Sequence, residues 1–483
     1  MRPPRPRQPL LRRALPALLG VLLAVPALAV NPLLARRDPV AAYENDHTTW
    51  VYPPWEHTWG VVRGTQTHLA ILTLGRAHFR NPQGLCAVRL AATDDPEKKG
   101  DDDEVTVYGV NSGENSLIYN KSMHSLGLYG YKDLGEGNLL APWDVAALPD
   151  GQVFVTDSGH HRVVKLRNVK GELRYEGSFG AGPPASLALP RGIAATWGGR
   201  VLVADARRNR VVLFDTSGAF LDTIGGFLAP VALAAVDRED PWLRPPGEYL
   251  VVGDSGGARL SKMSFDGRLI ARVSVPGAAG LAGAHVGHVD IDLYHDVIAT
   301  DSVHAKLLKF DSQLDFLAAW GQEGVGRTRF TGPTGITVWR RFGQTFVAER
   351  NGAHYLWVGT DLAGEPELRV RPRGPAIELG LRITERSEIR LELVDGKGNV
   401  VREKRTVRRA GDNTLLWRLD LKGGPLPWST LRSVKPVPKP PPLPAGEYGL
   451  RLRLRATYSS KKVFEKVIET RVVLPEAAPT GGQ

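Results

Sequence analysis

The feature of this sequence that most limits its fold is an acidic or amide turn residue that recurs about every 48 residues. Each one closes a short apolar run, and the successive spacings are 46, 48, 49, 47 and 48 residues. The six positions are Asn111, Asp157, Asp205, Asp254, Asp301 and Glu349. Internal periods of about 20 to 50 residues are typical of solenoids and propellers. The chain therefore contains a structural repeat, and its single motifs have to be interpreted within that repeat.

Each repeat predicts a four-stranded unit. Val153–Val164 has the pattern of its centre, which is an apolar strand, a polar turn and a second apolar strand. An inner strand begins upstream, at Pro82, Pro142, Pro190, Pro230 and Pro333, and at His285-Val-Gly-His-Val in the fifth unit. An outer strand ends in glycine, as at Gly180, Gly225 and Gly321. Four-stranded units repeated around an axis form a propeller, and six are predicted here.

The sixth repeat lacks an outer strand before the composition changes near Asp361. Upstream of the first repeat, His68–Gly75 is an apolar run with the same glycine ending. We therefore predict that this run is a strand and completes the sixth blade, so that both ends of the repeat region close the ring. Closure would remove a free sheet edge, which otherwise favours aggregation.

In four repeats a cation follows the turn acid by five residues, which predicts ion pairs across the hairpin. The predicted pairs are Asp157 with Arg162, Asp205 with Arg210, Asp254 with Arg259, and Asp301 with Lys306. The other two repeats replace both residues of the pair, with Ser116 following Asn111 and His354 following Glu349. We interpret the pairs as structural, each contributing about 0.2 to 1 kcal/mol when exposed.

With these motifs, residues 67–362 resemble the NHL family of six-bladed propellers. The resemblance is carried by the Pro-x-Gly-Ile start, as in Pro190-Arg-Gly-Ile193, by the Asp-x-x-x-x-Arg turn and by the terminal Phe/Leu-x-x-Gly. It implies an all-β fold with a six-bladed propeller. It does not identify a function, because propellers host binding, scaffolding and several unrelated chemistries.

The N-terminal residues predict export. Residues 1–29 contain five arginines and no acid, then an apolar stretch from Ala14, then Ala27-Leu-Ala29, as in a secretory signal peptide. The apolar stretch is shorter than the ~20 residues that span a bilayer and is interrupted by two prolines, which favours cleavage over an uncleaved anchor. We expect a periplasmic or cell-surface protein with an N-terminal extension at residues 30–66.

A second domain follows the propeller, after a linker at residues 363–376. Residues 377–475 alternate apolar and polar side chains, as in Ile389–Val394, which predicts a β-sandwich. Three ordered motifs, Val394–Arg402, Ala410–Trp417 and Pro444–Tyr448, resemble the immunoglobulin-like domain of the flagellar hook-cap type. A proline-rich insertion at residues 433–444 interrupts that pattern, and residues 476–483 are predicted to be a flexible tail.

The net charge of +11 is unevenly distributed. Residues 369–483 hold 24 Lys and Arg against 12 Asp and Glu, whereas residues 30–368 hold 33 against 39. We expect Arg451, Arg453 and Arg455 on one strand face, where they meet either an anionic envelope polymer or membrane, or solvent alone. Nucleic acid is not expected as a partner of an exported protein with an acidic propeller.

The candidate functional residues lie near the start of the inner strands. Asp144 and His288 replace the glycine that stands at Gly84, Gly192 and Gly335. Blades two and five lie opposite each other in a six-fold ring, so we expect Asp144 and His288 to face each other across the axial channel, with Arg191 at its mouth. The NHL group includes peptidyl-hydroxyglycine lyases that hold zinc by histidines from separate blades. The resemblance therefore implies a zinc site at Asp144 and His288 as an alternative, although catalytic zinc typically has three protein ligands.

Two further motifs are weaker. Gly253-Asp-Ser-Gly-Gly257 matches the nucleophile segment of trypsin-like proteases, but it occupies a repeat turn and no triad accompanies it. The acidic insertion Thr93–Glu104 lacks the ligand spacing of a calcium loop. We predict an exported scaffold that binds a protein, an envelope polymer or another ligand without a cofactor. A metal-dependent lyase is the alternative, with zinc or calcium as the possible metal, and the sequence does not indicate an oligomeric state.

Overall fold

A computed structural model describes residues 47–58, 61–92, 105–122, 125–254, 258–326, 328–371, 376–419 and 441–475. The predicted signal peptide, the acidic insertion, residues 433–440 and the predicted tail at residues 476–483 lie outside these residues. Contacts divide the chain after Glu44, and every element below belongs to the unit Asn45–Gln483. Within the described residues, no helix has the length and apolarity needed to cross a bilayer.

Four short elements precede the first blade. They are β1 (Trp50–Val51), α1 (Trp55–Thr58), β2 (Arg63–Thr65) and α2 (Gln66–Thr73). The aromatic residues of this region pack against the propeller: Trp50 and Tyr52 are buried, and the Trp50 ring lies 5.9 Å from that of Trp320. Trp55, by contrast, is half exposed.

Five four-stranded antiparallel sheets follow in chain order. Blade one is β3 to β6: Pro82–Arg89, Val105–Asn111, Ser116–Ser122 and Ser125–Tyr129. Blade two is β7 to β10: Pro142–Ala147, Gln152–Asp157, Arg162–Val169 and Glu172–Phe179. Blade three is β11 to β14: Pro190–Ala195, Arg200–Asp205, Arg210–Asp215 and Phe220–Ile224. Blade four is β15 to β18: Pro230–Val236, Tyr249–Asp254, Arg259–Met263 and Leu269–Ser274.

The ring continues through α3 (Val275–Ala279) into blade five, β19 to β22: Val286–Ile291, Val297–Asp301, Lys306–Phe310 and Phe316–Trp320. A parallel pair, β23 (Gln322–Glu323) and β24 (Arg329–Phe330), leads to blade six, β25 to β27: Pro333–Trp339, Gln344–Glu349 and Gly352–Val358. The inner strands of successive blades contact each other, and β25 contacts β3. The six blades thus form a closed ring, and the predicted all-β fold is confirmed.

The prediction for His68–Gly75 was wrong, because this run lies largely in helix α2. Thr65 caps the helix: its side chain accepts from the His68 backbone N–H, and the His68 side chain accepts from the Thr65 backbone N–H. A short apolar run fits a helix or a strand, and its period alone does not separate them. Blade six is completed instead by β1 and β2, which both pair with β27. The predicted extension therefore contributes two strands to the propeller.

The C-terminal domain is a sandwich of two antiparallel sheets. Its strands are β28 (Glu367–Arg371), β29 (Ala376–Ile383), β30 (Ser387–Val394), β31 (Val400–Arg408), β32 (Gly411–Arg418), β33 (Gly446–Ala456) and β34 (Lys466–Leu474). One sheet has the order β28-β29-β32 and the other β31-β30-β33-β34. Apolar side chains from both sheets fill the core, among them Ile377, Leu391, Trp417 and Leu452. Strand β28 lies within the predicted linker, so the sandwich begins before residue 377.

The sandwich contacts the propeller through a polar junction. The Lys309 ammonium of β21 is fully buried and touches Glu385 of the sandwich, and it lies 3.6 Å from Asp292 and 3.2 Å from Asp296. The Leu293 backbone N–H donates to the Tyr458 hydroxyl at 2.7 Å. Removing one partner of a buried ion pair leaves an uncompensated charge and destabilises the fold. The junction therefore depends on residues from both domains.

Candidate functional site

The third residue of each inner strand contributes to a ring around the propeller axis. The six residues are Gly84, Asp144, Gly192, Ala232, His288 and Gly335. A Cβ atom on Gly84 would lie 1.8 Å from Asp144 Oδ1, so this glycine leaves the space that the carboxyl group occupies. Asp144 and His288 therefore supply the titratable groups of the ring.

The structure brings Asp144 and His288 together across the axis. Their nearest atoms, His288 Nε2 and Asp144 Oδ1, are 3.8 Å apart, and both residues are buried. Both line an axial cavity of about 100 Å³. The separation is longer than a direct hydrogen bond. The two groups thus face the same small space without bonding to each other.

Asp144 is held by backbone donors from two blades. Its Oδ1 accepts from the Val145 N–H at 2.8 Å, and its Oδ2 accepts from the Ile193 N–H at 3.1 Å. Burial outweighs these two bonds and raises the pKa of Asp144 to about 8. The nearby charge of Asp290 acts in the same direction. At neutral pH this carboxyl group is therefore mainly protonated.

His288 is held in one tautomer. Its Nδ1–H donates to the Thr334 carbonyl of blade six, so Nε2 carries the lone pair and points toward Asp144. Within the described protein, Nε2 has no hydrogen-bond partner. Burial lowers the pKa of His288 to about 4. At neutral pH the axis therefore holds a neutral imidazole facing a protonated carboxyl group.

Arg191 packs on an aromatic ring next to His288. Its guanidinium carbon is 3.8 Å from the centre of the Trp143 ring, which stacks on His288 with a centroid separation of 6.2 Å. Arg191 and Trp143 are both half-buried, and burial lowers the pKa of Arg191. Within the described residues, no carboxylate pairs with Arg191. The Trp143 ring thus carries a partly desolvated cation.

Asp144 and His288 do not fit a catalytic zinc site. Among the described His, Cys, Asp and Glu residues, no third ligand completes a cluster with them, whereas catalytic zinc typically has three protein ligands. A cluster that does bring three carboxylates within 4.8 Å of one another is Asp292, Asp296 and Glu385 at the domain junction. The Lys309 ammonium already lies among those oxygen atoms. No catalytic step through a metal follows from these residues.

Three of the four predicted turn pairs form. Asp157 and Arg162 are 2.9 Å apart, Asp205 and Arg210 3.3 Å, and Asp254 and Arg259 2.5 Å. Each acid also accepts a backbone N–H from the loop before its own inner strand, as Asp157 does from Leu140. The pairs therefore anchor inner strands. Ser255, Gly256 and Gly257 of the protease-like motif lie outside the described residues.

The fifth repeat departs from the predicted pairing. The Lys306 ammonium donates to the Gly321 carbonyl at 2.9 Å, and the side-chain partner of Asp301 is His304, whose Nδ1 lies 2.7 Å from the carboxylate. Lysine reaches past the turn because its ammonium is a point charge on a flexible stem, without the planar fork of arginine. The prediction of an Asp301–Lys306 contact is corrected accordingly.

The sixth repeat obtains an arginine from outside the repeat. Arg63 of β2 donates from Nε to Glu349 at 2.8 Å, and His354 Nε2 lies 3.2 Å from the same carboxylate. Burial raises the pKa of Glu349, but bonds and charge from His354, the Thr331 N–H and Arg63 outweigh burial and hold it at about 2. Sequence reasoning missed Arg63, which is 286 positions from its partner.

The three arginines predicted to form a basic face are engaged within the sandwich. Arg451 pairs with Glu469 at 2.6 Å, Arg453 with Glu465 at 2.6 Å and Arg455 with Glu465 at 2.8 Å. The buried carboxylate of Glu392 also contacts Arg451 and Arg453. Local carboxylates therefore offset the positive charge of this strand.

Comparison with known proteins identifies the class. The NHL repeat model matches residues 139–166 and 187–214, which contain β7, β8, β11 and β12 and most of β9 and β13. The protein is therefore a β-propeller in which two blades match the NHL repeat, followed by a β-sandwich. None of the curated proteins matches this chain significantly.

Several solved propeller enzymes share limited similarity with the chain. A streptogramin B lyase is 11% identical, over 58% of this chain and 96% of that chain, with a TM-score of 0.40. A gluconolactonase from Xanthomonas campestris is 11% identical, over 65% and 96%, with a TM-score of 0.43. Virginiamycin B lyase from Staphylococcus aureus is 13% identical, over 56% and 98%, with a TM-score of 0.38. Similarity at this level says nothing about substrate or activity.

Proposed function

We propose that this protein is an exported recognition scaffold whose propeller binds an anionic group of a protein or envelope polymer at the channel mouth. The observation that carries the proposal is Arg191, a half-buried guanidinium stacked on Trp143 with no carboxylate partner among the described residues. Export is supported by the pattern of residues 1–29.

The chemistry of Arg191 favours a carboxylate or phosphate. A guanidinium that stacks on a ring through its face keeps its edge N–H groups for bidentate hydrogen bonds. A desolvated cation without a counter-ion costs free energy, and an anionic ligand would offset that cost. Asp144 and His288 are neutral and would not repel an anion bound nearby.

The size of the axial cavity favours a macromolecular ligand. A volume of about 100 Å³ admits a small group, whereas pockets that enclose whole drug-sized ligands are about 300 to 1,000 Å³. A polymer end or a side chain of a protein partner fits this space while the rest of the ligand covers the rim. In this proposal the sandwich serves as the docking module and contacts the envelope. The contact uses surface residues other than Arg451, Arg453 and Arg455, because these three are paired with carboxylates of the sandwich.

The proposal is tested by capture from an envelope extract with the immobilised mature protein. We expect a saturable partner that is lost with Arg191→Gln and retained with Arg207→Gln, a matched change at an exposed turn arginine. Equal capture by both variants would show that Arg191 does not contribute to binding.

The same preparations distinguish binding from metal-dependent lyase activity. Elemental analysis of the wild type and His288→Ala is expected to find no stoichiometric zinc in either protein, and His288→Ala should still capture the partner. Stoichiometric zinc that disappears in His288→Ala would overturn the scaffold proposal in favour of the lyase.

A further inference from the structure

A second cavity, of about 400 Å³, lies between blades one and six. It is lined by Leu69 and Leu72 of α2, by Phe79, by Tyr119 of β5, and by Phe346 and Tyr355 of blade six. It is distinct from the axial cavity: Asp144 and His288 are not among its walls, and Leu85 is the one described residue that lines both. The axial site therefore does not account for this second cavity.

The cavity follows from the way blade six is completed. Blades one to five each have a full fourth strand, whereas β27 is paired on its outer side only by the two-residue β1 and the three-residue β2. Helix α2 contacts β2 and β6, and two of its leucines line the cavity. A helix does not fill the space that a fourth strand occupies in the other blades.

The lining is uncharged and strongly aromatic. No Asp, Glu, Lys or Arg occurs among the described residues that form its walls. The Phe346 and Tyr355 rings stack with centroids 4.8 Å apart and an interplanar angle of 4°. Walls of this kind favour flat, uncharged molecules, because a charged ligand would lose its hydration without gaining a counter-charge.

Among the polar side chains of the wall, His68 has its donor fixed by the helix cap. His68 Nδ1 accepts from the Thr65 backbone N–H at 3.2 Å as part of the helix cap. In the neutral imidazole the hydrogen then resides on Nε2, which becomes a donor. The half-buried His68 thus offers one N–H to a ligand acceptor.

We propose that this cavity binds an uncharged small molecule with an aromatic or alicyclic body and one acceptor oxygen that hydrogen-bonds to His68. Protein interiors are normally close-packed, and apolar cavities that remain unfilled take up apolar molecules. The volume lies within the range of about 300 to 1,000 Å³ that is usual for small-ligand pockets.

The first test measures binding of N-phenyl-1-naphthylamine, an uncharged fluorescent probe without an oxygen atom, to the full chain. We expect saturable binding at one molecule per chain. Leu72→Trp should weaken it at least tenfold, because Leu72 lines the cavity and a larger side chain there fills it. Ile71→Trp is the matched control: it is the neighbouring exposed residue on the same helix and is absent from the lining.

The second test examines the donor with an uncharged naphthyl ketone, 6-propionyl-2-dimethylaminonaphthalene. We expect His68→Leu to weaken ketone binding about tenfold and to leave N-phenyl-1-naphthylamine binding within twofold, which also shows that α2 remains folded. Absence of saturable binding to the wild type, or equal losses in Leu72→Trp and Ile71→Trp, would overturn the site. Equal losses of both probes in His68→Leu would overturn the role of the donor.

Discussion

At the scale of single residues, burial decides the chemistry of the propeller axis. An aspartate 3.8 Å from a histidine would be an ion pair if both were solvated. Here burial raises the pKa of Asp144 and lowers that of His288, so both are neutral at pH 7. Arg340, which also lines the cavity, is paired with Asp240 and Asp290, whereas Arg191 has no carboxylate partner among the described residues, so we place anion recognition at Arg191.

Asp144 predicts a pH dependence of stability. Its pKa is raised in the folded state from 3.8 to about 8, so its contribution to stability is complete below pH 4 and is lost as the pH rises toward 8. Asp144→Asn cannot ionise. We expect urea unfolding of the wild type to show a free energy that falls between pH 5 and pH 8 by ~1 kcal/mol or more beyond the fall in Asp144→Asn. Parallel profiles for the two proteins would show that Asp144 is ionised when folded.

At the scale of elements, the sixth blade is assembled from both ends of the repeat region. Strand β2 supplies Arg63 to the Glu349 turn, as Arg162 serves Asp157 in blade two. The prediction that residues upstream of the first repeat complete the sixth blade is therefore correct. The strands that do so are β1 and β2, and not the predicted run His68–Gly75. The capping box of Thr65 and His68 favours helix over strand in that segment.

Arg63→Gln tests whether β2 closes the ring. Glu349 is fully buried and would lose its charged hydrogen bonds from Arg63, so we expect a loss of ~2 kcal/mol in the free energy of unfolding. Arg76→Gln, at an exposed position after α2, should change it by less than ~0.5 kcal/mol. Similar small effects for both variants would mean that β2 contributes little to closure.

At the scale of the whole molecule, a buried charge cluster joins the two domains. Lys309 belongs to blade five and Glu385 to the sandwich, and both are fully buried. Burial raises the pKa of Glu385 to about 7 even beside this lysine. Burial lowers the pKa of Lys309, but the charges of Glu385, Asp296 and Asp292 outweigh it and raise that pKa above its usual value.

Lys309→Met leaves three buried carboxyl groups without their cation. We expect a loss of ~3 to 5 kcal/mol in the free energy of unfolding and separate calorimetric transitions for the propeller and the sandwich. Adding Glu385→Gln should restore part of the loss, because one fewer buried charge then lacks a partner. A double variant no more stable than Lys309→Met would indicate that Glu385 does not face the lysine across the junction.

The sequence by itself determined the features that depend on local pattern. The 48-residue period, the acidic turns and the alternation after residue 377 predicted a propeller followed by a sandwich, because strand and turn preferences act over a few residues. Asp144 and His288 could be identified because other repeats have glycine at the same position of the inner strand. The six-fold symmetry of the ring then predicted that the two residues face each other.

Only the tertiary structure decided the features that join distant residues or depend on burial. Arg63 meets Glu349 across 286 positions, Lys309 meets Glu385 across 76, and neither pair has a local signal. The protonation of Asp144, the tautomers of His68 and His288 and the cavity beneath α2 depend on packing in three dimensions. A linear pattern specifies which groups are present, but the desolvation and geometry that set their chemistry arise only when the ring closes.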